Sequence, residues 1–300
     1  MKSIPVETGQ NSMIQEEGKN NDTITTKNKR LSVQISLTGQ SFLISCAKTN
    51  KVEWKAQERW LYSLSRPDEL LNRTIRILEN SSLDLSQITE VNLFYHTPLY
   101  TLVPSEIWDD EDPALYLKYT LKTFPHDFIA HETILKGKTN LVYIPFVNLN
   151  NYFFEKFGSF HYYHALGPWI DYCAEVIGEK TGVFANFTSK QLDIVVFKDG
   201  ALQLANSFEY HTPEDVVYYV LFVYEQVALS TEETPIYISG AVSQSTAIHS
   251  ELYTYIRHVE FIPTYKLSIS RLGKEKAHKE LLLKLGLQCA SYQENIKEEK

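Results

Sequence analysis

The chain has 300 residues, 43% of them hydrophobic, enough to bury one large core or two lobes of ordinary domain size. With 29 basic against 37 acidic residues and a pI near 5.6, it offers nucleic-acid phosphates and anionic lipid no general electrostatic attraction. That balance argues against a basic-groove nucleic-acid protein. Met1 to Lys29 is rich in Asn, Thr, Gln, Glu and Lys, has no apolar run for a secretory leader, and reads as a disordered tail. No stretch approaches the roughly 20 apolar residues of a membrane span. The greasiest, Val216 to Leu229, is broken by Glu225 and Gln226. A soluble, cytoplasmic protein without membrane insertion is predicted. Cys46, Cys173 and Cys289 form no CxxC pair, so the expectation is buried thiols rather than a zinc site or a disulfide framework.

In chain order, "RLSVQISLTGQSFLISCAKTNKVEW" (30–54) alternates apolar and polar residues between turns at Thr38-Gly39 and Thr49-Asn50, which predicts a three-stranded meander. A helix follows, with Ser65 as cap, Pro67 in the first turn, Asp68 and Glu69 behind it, and Leu70, Leu71, Ile75 and Leu78 on one face. "EVNLFYH" (90–96) reads as a buried strand. Next come a helix capped by Asp112 with Pro113, a strand at 140–146, an amphipathic helix in "NLNNYFFEKFGSF", a strand "HYYH" (161–164) and a helix at 167–178. The opening order then returns. Three strands in 181–210 are separated at Thr188-Ser189-Lys190 and Lys198-Asp199-Gly200, a helix is capped by Thr212 with Pro213, and "PIYISG" (235–240) is a strand. A helix near Gln244 to Ile256, a strand at 258–262 and one helix in "KEKAHKELLLKLGL" complete the chain.

A three-stranded meander followed by alternating helices and strands is the order of a ribonuclease H-like lobe, in which right-handed crossovers add parallel strands. The predicted fold class is α/β with two such lobes. The expected division is a tail at 1–29, a first lobe at 30–179, a second at 180–265, and a C-terminal helix and tail at 266–300.

Together with "LYTLVPSEIW" (99–108), "NLVYIPFVN" (140–148), "HALGPWIDYC" (164–173) and "IYISGAV" (236–242), these meanders resemble the actin-like ATPase superfamily. More narrowly, they resemble an uncharacterised bacterial family of unknown function for which that fold has been proposed. The superfamily's second lobe opens with a D-x-G-G-G-T-T-D hairpin whose glycine amides wrap phosphate and whose acid organises magnesium and water. Beside it, "NFTSKQLD" keeps the length and the final Asp193, while Asn186 replaces the first acid and Thr188, Ser189 and Lys190 replace the glycines. Asn186 cannot be an anionic magnesium partner, and side chains at 188–190 obstruct the close approach that glycine permits. In the first lobe "QISLTGQSF" keeps Gly39 without an acid in the preceding strand, and the adenosine motif shrinks to Gly240 followed by Ala241.

Other groupings are weaker. His161 and His164 are three apart, a ligand spacing on a helix but not on a strand. The acids at 109–112 fit a helix start favoured by the dipole. No nucleophile elbow, P-loop or H-E-x-x-H is present. The aromatic set at 151–163, with Tyr152 and Phe153, is the best sequence candidate for an exposed partner patch.

The sequence reading is thus a scaffold or binding protein with a degenerate ATP site and another protein as partner, in the manner that the resemblance implies for actin-like domains of pilus and secretion platforms. The alternative is a nucleotide-binding protein or weak ATPase that holds ATP and magnesium through Gly39, Asn186, Thr188, Ser189 and Gly240. A ribonuclease H-like nuclease requires strand-borne carboxylates that the first strands of both meanders lack.

Overall fold

The computed structural model describes residues 28–60, 64, 66–81, 83–124, 127–264, 278 and 281–285. Residues 1–27, Ser65, Cys289 and the end beyond residue 285 lie outside the described residues, and with them most of the expected tails and the expected Ser65 cap.

The first meander is β1 (Lys29–Ser36), β2 (Gly39–Cys46) and β3 (Val52–Arg59), so Lys29, the last residue of the expected tail, belongs to the sheet. Asn50, at φ 54°, supplies the left-handed residue of the second turn. Helix α1 (Pro67–Asn80) crosses to β4 (Ile88–Tyr95), which runs parallel to β1. Arg66 holds the α1 N-cap position without a side-chain bond, and the buried face is Leu70, Thr74, Ile77 and Leu78, with Leu71 and Ile75 half-buried.

Two strands then appear that the sequence reading did not separate, β5 (Tyr100–Pro104) and β6 (Ala130–Ile134). With β7 (Thr139–Tyr143) they form an antiparallel sheet ordered β5-β7-β6. Helix α2 (Pro113–Lys118) lies between β5 and β6. Asp112 takes its N-cap position, but its side chain makes no capping bond and instead stands 3.9 Å from the Lys118 ammonium. Helix α3 (Val147–Phe157) and β8 (His161–His164) close the first five-stranded sheet, ordered β3-β2-β1-β4-β8.

Helix α4 (Leu166–Ile177) leads to the second sheet, made of β9 (Gly182–Phe187), β10 (Gln191–Lys198), β11 (Ala201–Glu209), β12 (Ile236–Gly240) and β13 (Val259–Phe261). Its order, β11-β10-β9-β12-β13, repeats that of the first. Asp199 and Gly200, both at positive φ, make the β10–β11 hairpin. Helix α5 (Pro213–Gln226) starts at a capping box in which Thr212 and Asp215 satisfy each other's backbone amides. Helix α6 (Ala247–Tyr255) connects β12 to β13, and α7 (Leu281–Leu285) is the last described element. Among the described residues no helix is long and apolar enough to cross a membrane.

Side chains alternate across the second sheet. Val183, Ala185, Ile194 and Val196 pack under α5 and α6, whereas Phe184, Val195 and Phe197 join the larger core built on the first sheet and α4. Asn186 and Asp193 share the parity of that second set, so the alternation aims two polar groups at the first sheet's side of the molecule. Cys173 is buried as expected, while Cys46 is only half-buried.

Candidate functional site

The register of the second sheet lines up four polar residues across four strands. Ser207 on β11 faces Asp193 on β10, Asp193 faces Asn186 on β9, and Asn186 faces Ser239 on β12. The Ser207 hydroxyl donates to Asp193 Oδ1 at 2.7 Å, the Asn186 amide donates to Asp193 Oδ2 at 3.1 Å, and the Ser239 hydroxyl donates to Asn186 Oδ1 at 3.2 Å. Gln191 adds a second donor to Oδ1 at 2.7 Å.

His96 completes the set from the other sheet. It follows the last residue of β4, where its backbone amide donates to Ile35 of β1. Its Nε2 lies 2.7 Å from Asp193 Oδ2, and both side chains are fully buried. A carboxylate only accepts, so this contact places the proton on Nε2; Nδ1 is buried without a partner among the described residues. Burial alone would push the Asp193 carboxyl up. The His96 charge and the hydrogen bonds from His96, Gln191 and Ser207 outweigh it and hold the group below the usual carboxylate range. The Tyr100 hydroxyl stands 3.2 Å from Ser207 and is raised by burial and then by the Asp193 charge. Beyond it His164, its ring between those of Tyr100 and Tyr143, brings Nε2 to 2.9 Å from the Thr97 carbonyl, and burial lowers it to about 3.

Gly39, Asn186, Thr188, Ser189 and Gly240 all line one cleft between the first meander and the second sheet. The hairpin at its rim is closed on itself. Thr188 N–H donates to the Gln191 carbonyl at 2.9 Å, Gln191 N–H donates to Thr188 Oγ1 at 3.0 Å, and the Tyr210 hydroxyl donates to the Thr188 carbonyl at 2.6 Å. Gly240 sits at φ 86°, and a Cβ there would fall 2.1 Å from the Phe187 carbonyl oxygen. Its glycine is therefore required by packing on β9 while Ala241 N–H bonds that same carbonyl at 2.7 Å.

These residues do not fit magnesium and ATP. The cleft has a free volume of about 80 Å³, with Leu281, Leu282 and Leu283 in its wall, against roughly 300–1,000 Å³ for ordinary ligand sites. The retained acid has four protein donors on its two oxygens, which takes up the roughly four lone-pair positions of a carboxylate. A magnesium ion needs those oxygens together with its own waters in near-octahedral array.

Among the other sequence candidates, His161 is exposed and His164 buried on β8, so the two do not converge. Phe153 corrects the expected patch, because it is fully buried, on the same helix face as Leu149, and packs on Phe157 and Phe160. Tyr152 is half-buried, and the exposed ring of this helix is Phe154. A second, wider groove of about 1120 Å³ runs between β5 and β11, each an edge strand of its sheet.

Residues 18–259 match the model of a protein family described as "Protein of unknown function (DUF3822)". The chain belongs to that family. No curated protein matches it. Among solved structures it is similar to a Bacteroides thetaiotaomicron protein of actin-like ATPase fold and unknown function, at 20% identity and TM-score 0.72, over 88% of this chain and 97% of that one. It is also similar to a chain of the PilM–PilN type IV pilus biogenesis complex, at 12% identity and TM-score 0.54, over 87% and 98%. These likenesses show an actin-like ATPase fold for this DUF3822 member, and its two five-stranded sheets repeat one strand order.

His96, Gln191 and Ser207 were not nominated by sequence. Gln191 and Ser207 carry no motif signal, and His96 reads as the end of a buried strand. A histidine at the exit of a strand in a lobe that lacks its acid is the one local cue.

Proposed function

We propose that this protein is a non-catalytic actin-like scaffold or binding protein, working in the cytoplasm, whose ancestral nucleotide site has been rebuilt as a contact between two lobes at 30–179 and 180–265. The single observation that carries this reading is the Asp193 carboxylate, buried and bonded by His96, Asn186, Gln191 and Ser207. In that setting His96, from the first sheet, occupies one oxygen of the acid that a magnesium shell would need. The acid then has no free oxygen with which to orient an attacking water. The replaced glycines at 188–190 and the leucines in the cleft wall support the same reading. The PilM–PilN likeness supports a protein as partner, and the wide groove between β5 and β11 is the concave surface open to one. Phosphate release from Mg-ATP, measured with purified full-length chain, tests the absence of turnover. Release at the level of a heat-denatured control is expected, and release that falls in parallel for an Asp193→Ala variant would overturn the reading.

A further inference from the structure

The cleft wall formed by Leu281, Leu282 and Leu283 belongs to α7, a five-residue helix of four leucines and Lys284 in which every side chain is buried. A helix buried on all sides needs a surrounding host. Here the hosts come from both sheets, because α7 contacts β1 and β2 of the first, β12 of the second, and helix α4. Leu281, Leu282 and Leu285 enter the large core, while Leu283 forms a separate small cluster with Leu43 and Val52. Ahead of it His278 fixes the approach, its Nε2 at 2.9 Å from the Val242 carbonyl and its ring against Phe261. A helix this short has no stability of its own in water, so its helicity depends on docking.

We propose that the interlobe cleft is a binding site for a leucine-rich helical segment, that its resident is this chain's own α7, and that docking of α7 fastens the two sheets together as a releasable plug. The proposal rests on the reading of this cleft as one that no longer holds nucleotide, and deepens it by naming what the cleft holds instead. Release of α7 would expose Gly39, Gln40 and the Thr188–Ser189 turn, which share its pocket, and would let the sheets separate at that edge.

Amide hydrogen exchange on the full-length chain, wild type against Leu282→Asp, tests this, with Leu283→Ala as the milder variant should the first lose its far-UV circular dichroism. Exchange at least tenfold faster in residues 281–285 and in the β1–β2 segment 34–41 is expected, with 213–226 unchanged. A fluorescein-labelled peptide of sequence HKELLLKLGLQ (278–288) should bind the variant saturably, with a Kd below about 100 μM, and should not bind wild type. Residues 281–285 exchanging freely while 34–41 keep their wild-type rates, or peptide that binds neither chain, would overturn the plug. Mg-ATP binding separates the two readings. Nucleotide bound by the variant but not by wild type would uphold the plug and refute the loss of the nucleotide site. Failure of the exchange and peptide arms with no nucleotide bound would refute the plug alone.

Discussion

Removing the acid at the centre of the site should destabilise the fold rather than impair a reaction. Asp193→Ala strands four donors, His96, Asn186, Gln191 and Ser207, in a fully buried position. Deleting one partner of a buried pair costs about 3–5 kcal/mol, because the desolvation of the remaining partner is no longer offset. A loss of about 4 kcal/mol, at a urea m-value of about 3 kcal/mol/M, lowers the unfolding midpoint by about 1.3 M. The assay is urea unfolding followed by tryptophan fluorescence and circular dichroism, whose coincidence checks for a single transition. The double variant His96→Ala/Asp193→Ala should cost less than the sum of the two singles, by about 1–3 kcal/mol, since the partners share one interaction. The acid's folded-state value is depressed, so its contribution is present above the unfolded value of about 3.9 and is lost as pH falls through the folded one. The gap between wild type and Asp193→Ala should therefore persist at neutral pH and shrink below about pH 4. A variant within 0.5 kcal/mol of wild type at pH 7, or strictly additive singles, would show that Asp193 is not held by these donors.

Three further predictions concern the surrounding structure. Phe153→Ala should cost about 3–5 kcal/mol as a core truncation, while Phe154→Ala, on the exposed side of the same helix, should stay within about 0.5 kcal/mol in the same unfolding assay. Gly240→Ala, which combines a positive φ with a Cβ driven into the Phe187 carbonyl, should lower the midpoint by an amount worth at least about 2 kcal/mol; an unchanged midpoint would show that β12 can retreat from β9. His164, held near 3 when folded against about 6.5 when unfolded, binds its proton preferentially in the unfolded chain, so its contribution is present above about pH 6.5 and lost as pH falls. Between pH 7 and 5, wild type should lose about 2 kcal/mol more stability than His164→Gln; parallel pH curves would contradict this.

The elements that a local pattern defines were legible in the sequence. Both meanders announce themselves through alternation and tight turns, as Asp199-Gly200 shows, and Thr212 with Asp215 gives the α5 start outright. Asp193 was legible through a motif, because its spacing from Asn186 is fixed by one hairpin. Its chief partner was not, since His96 reaches it from the other sheet across 97 residues of sequence, and no local period encodes such a contact. Strand β6, with His131, Glu132 and Thr133 in its centre, lacks an apolar pattern and owes its place to pairing with β7. In α3 an aromatic run, Tyr152-Phe153-Phe154, leaves the helix phase ambiguous until Leu149 and Phe153 are seen against the core. The leucine run at 281–285 reads as a helix, yet where a short apolar helix docks is a tertiary matter.

If protein groups occupy the place of magnesium and nucleotide, as proposed, isothermal titration of the full-length wild-type chain with Mg-ATP will show it. Heat indistinguishable from the buffer blank up to millimolar ATP is the predicted result. A saturable isotherm with a Kd below about 100 μM, equivalent to about 5–6 kcal/mol, that is abolished by Asp193→Ala would contradict it.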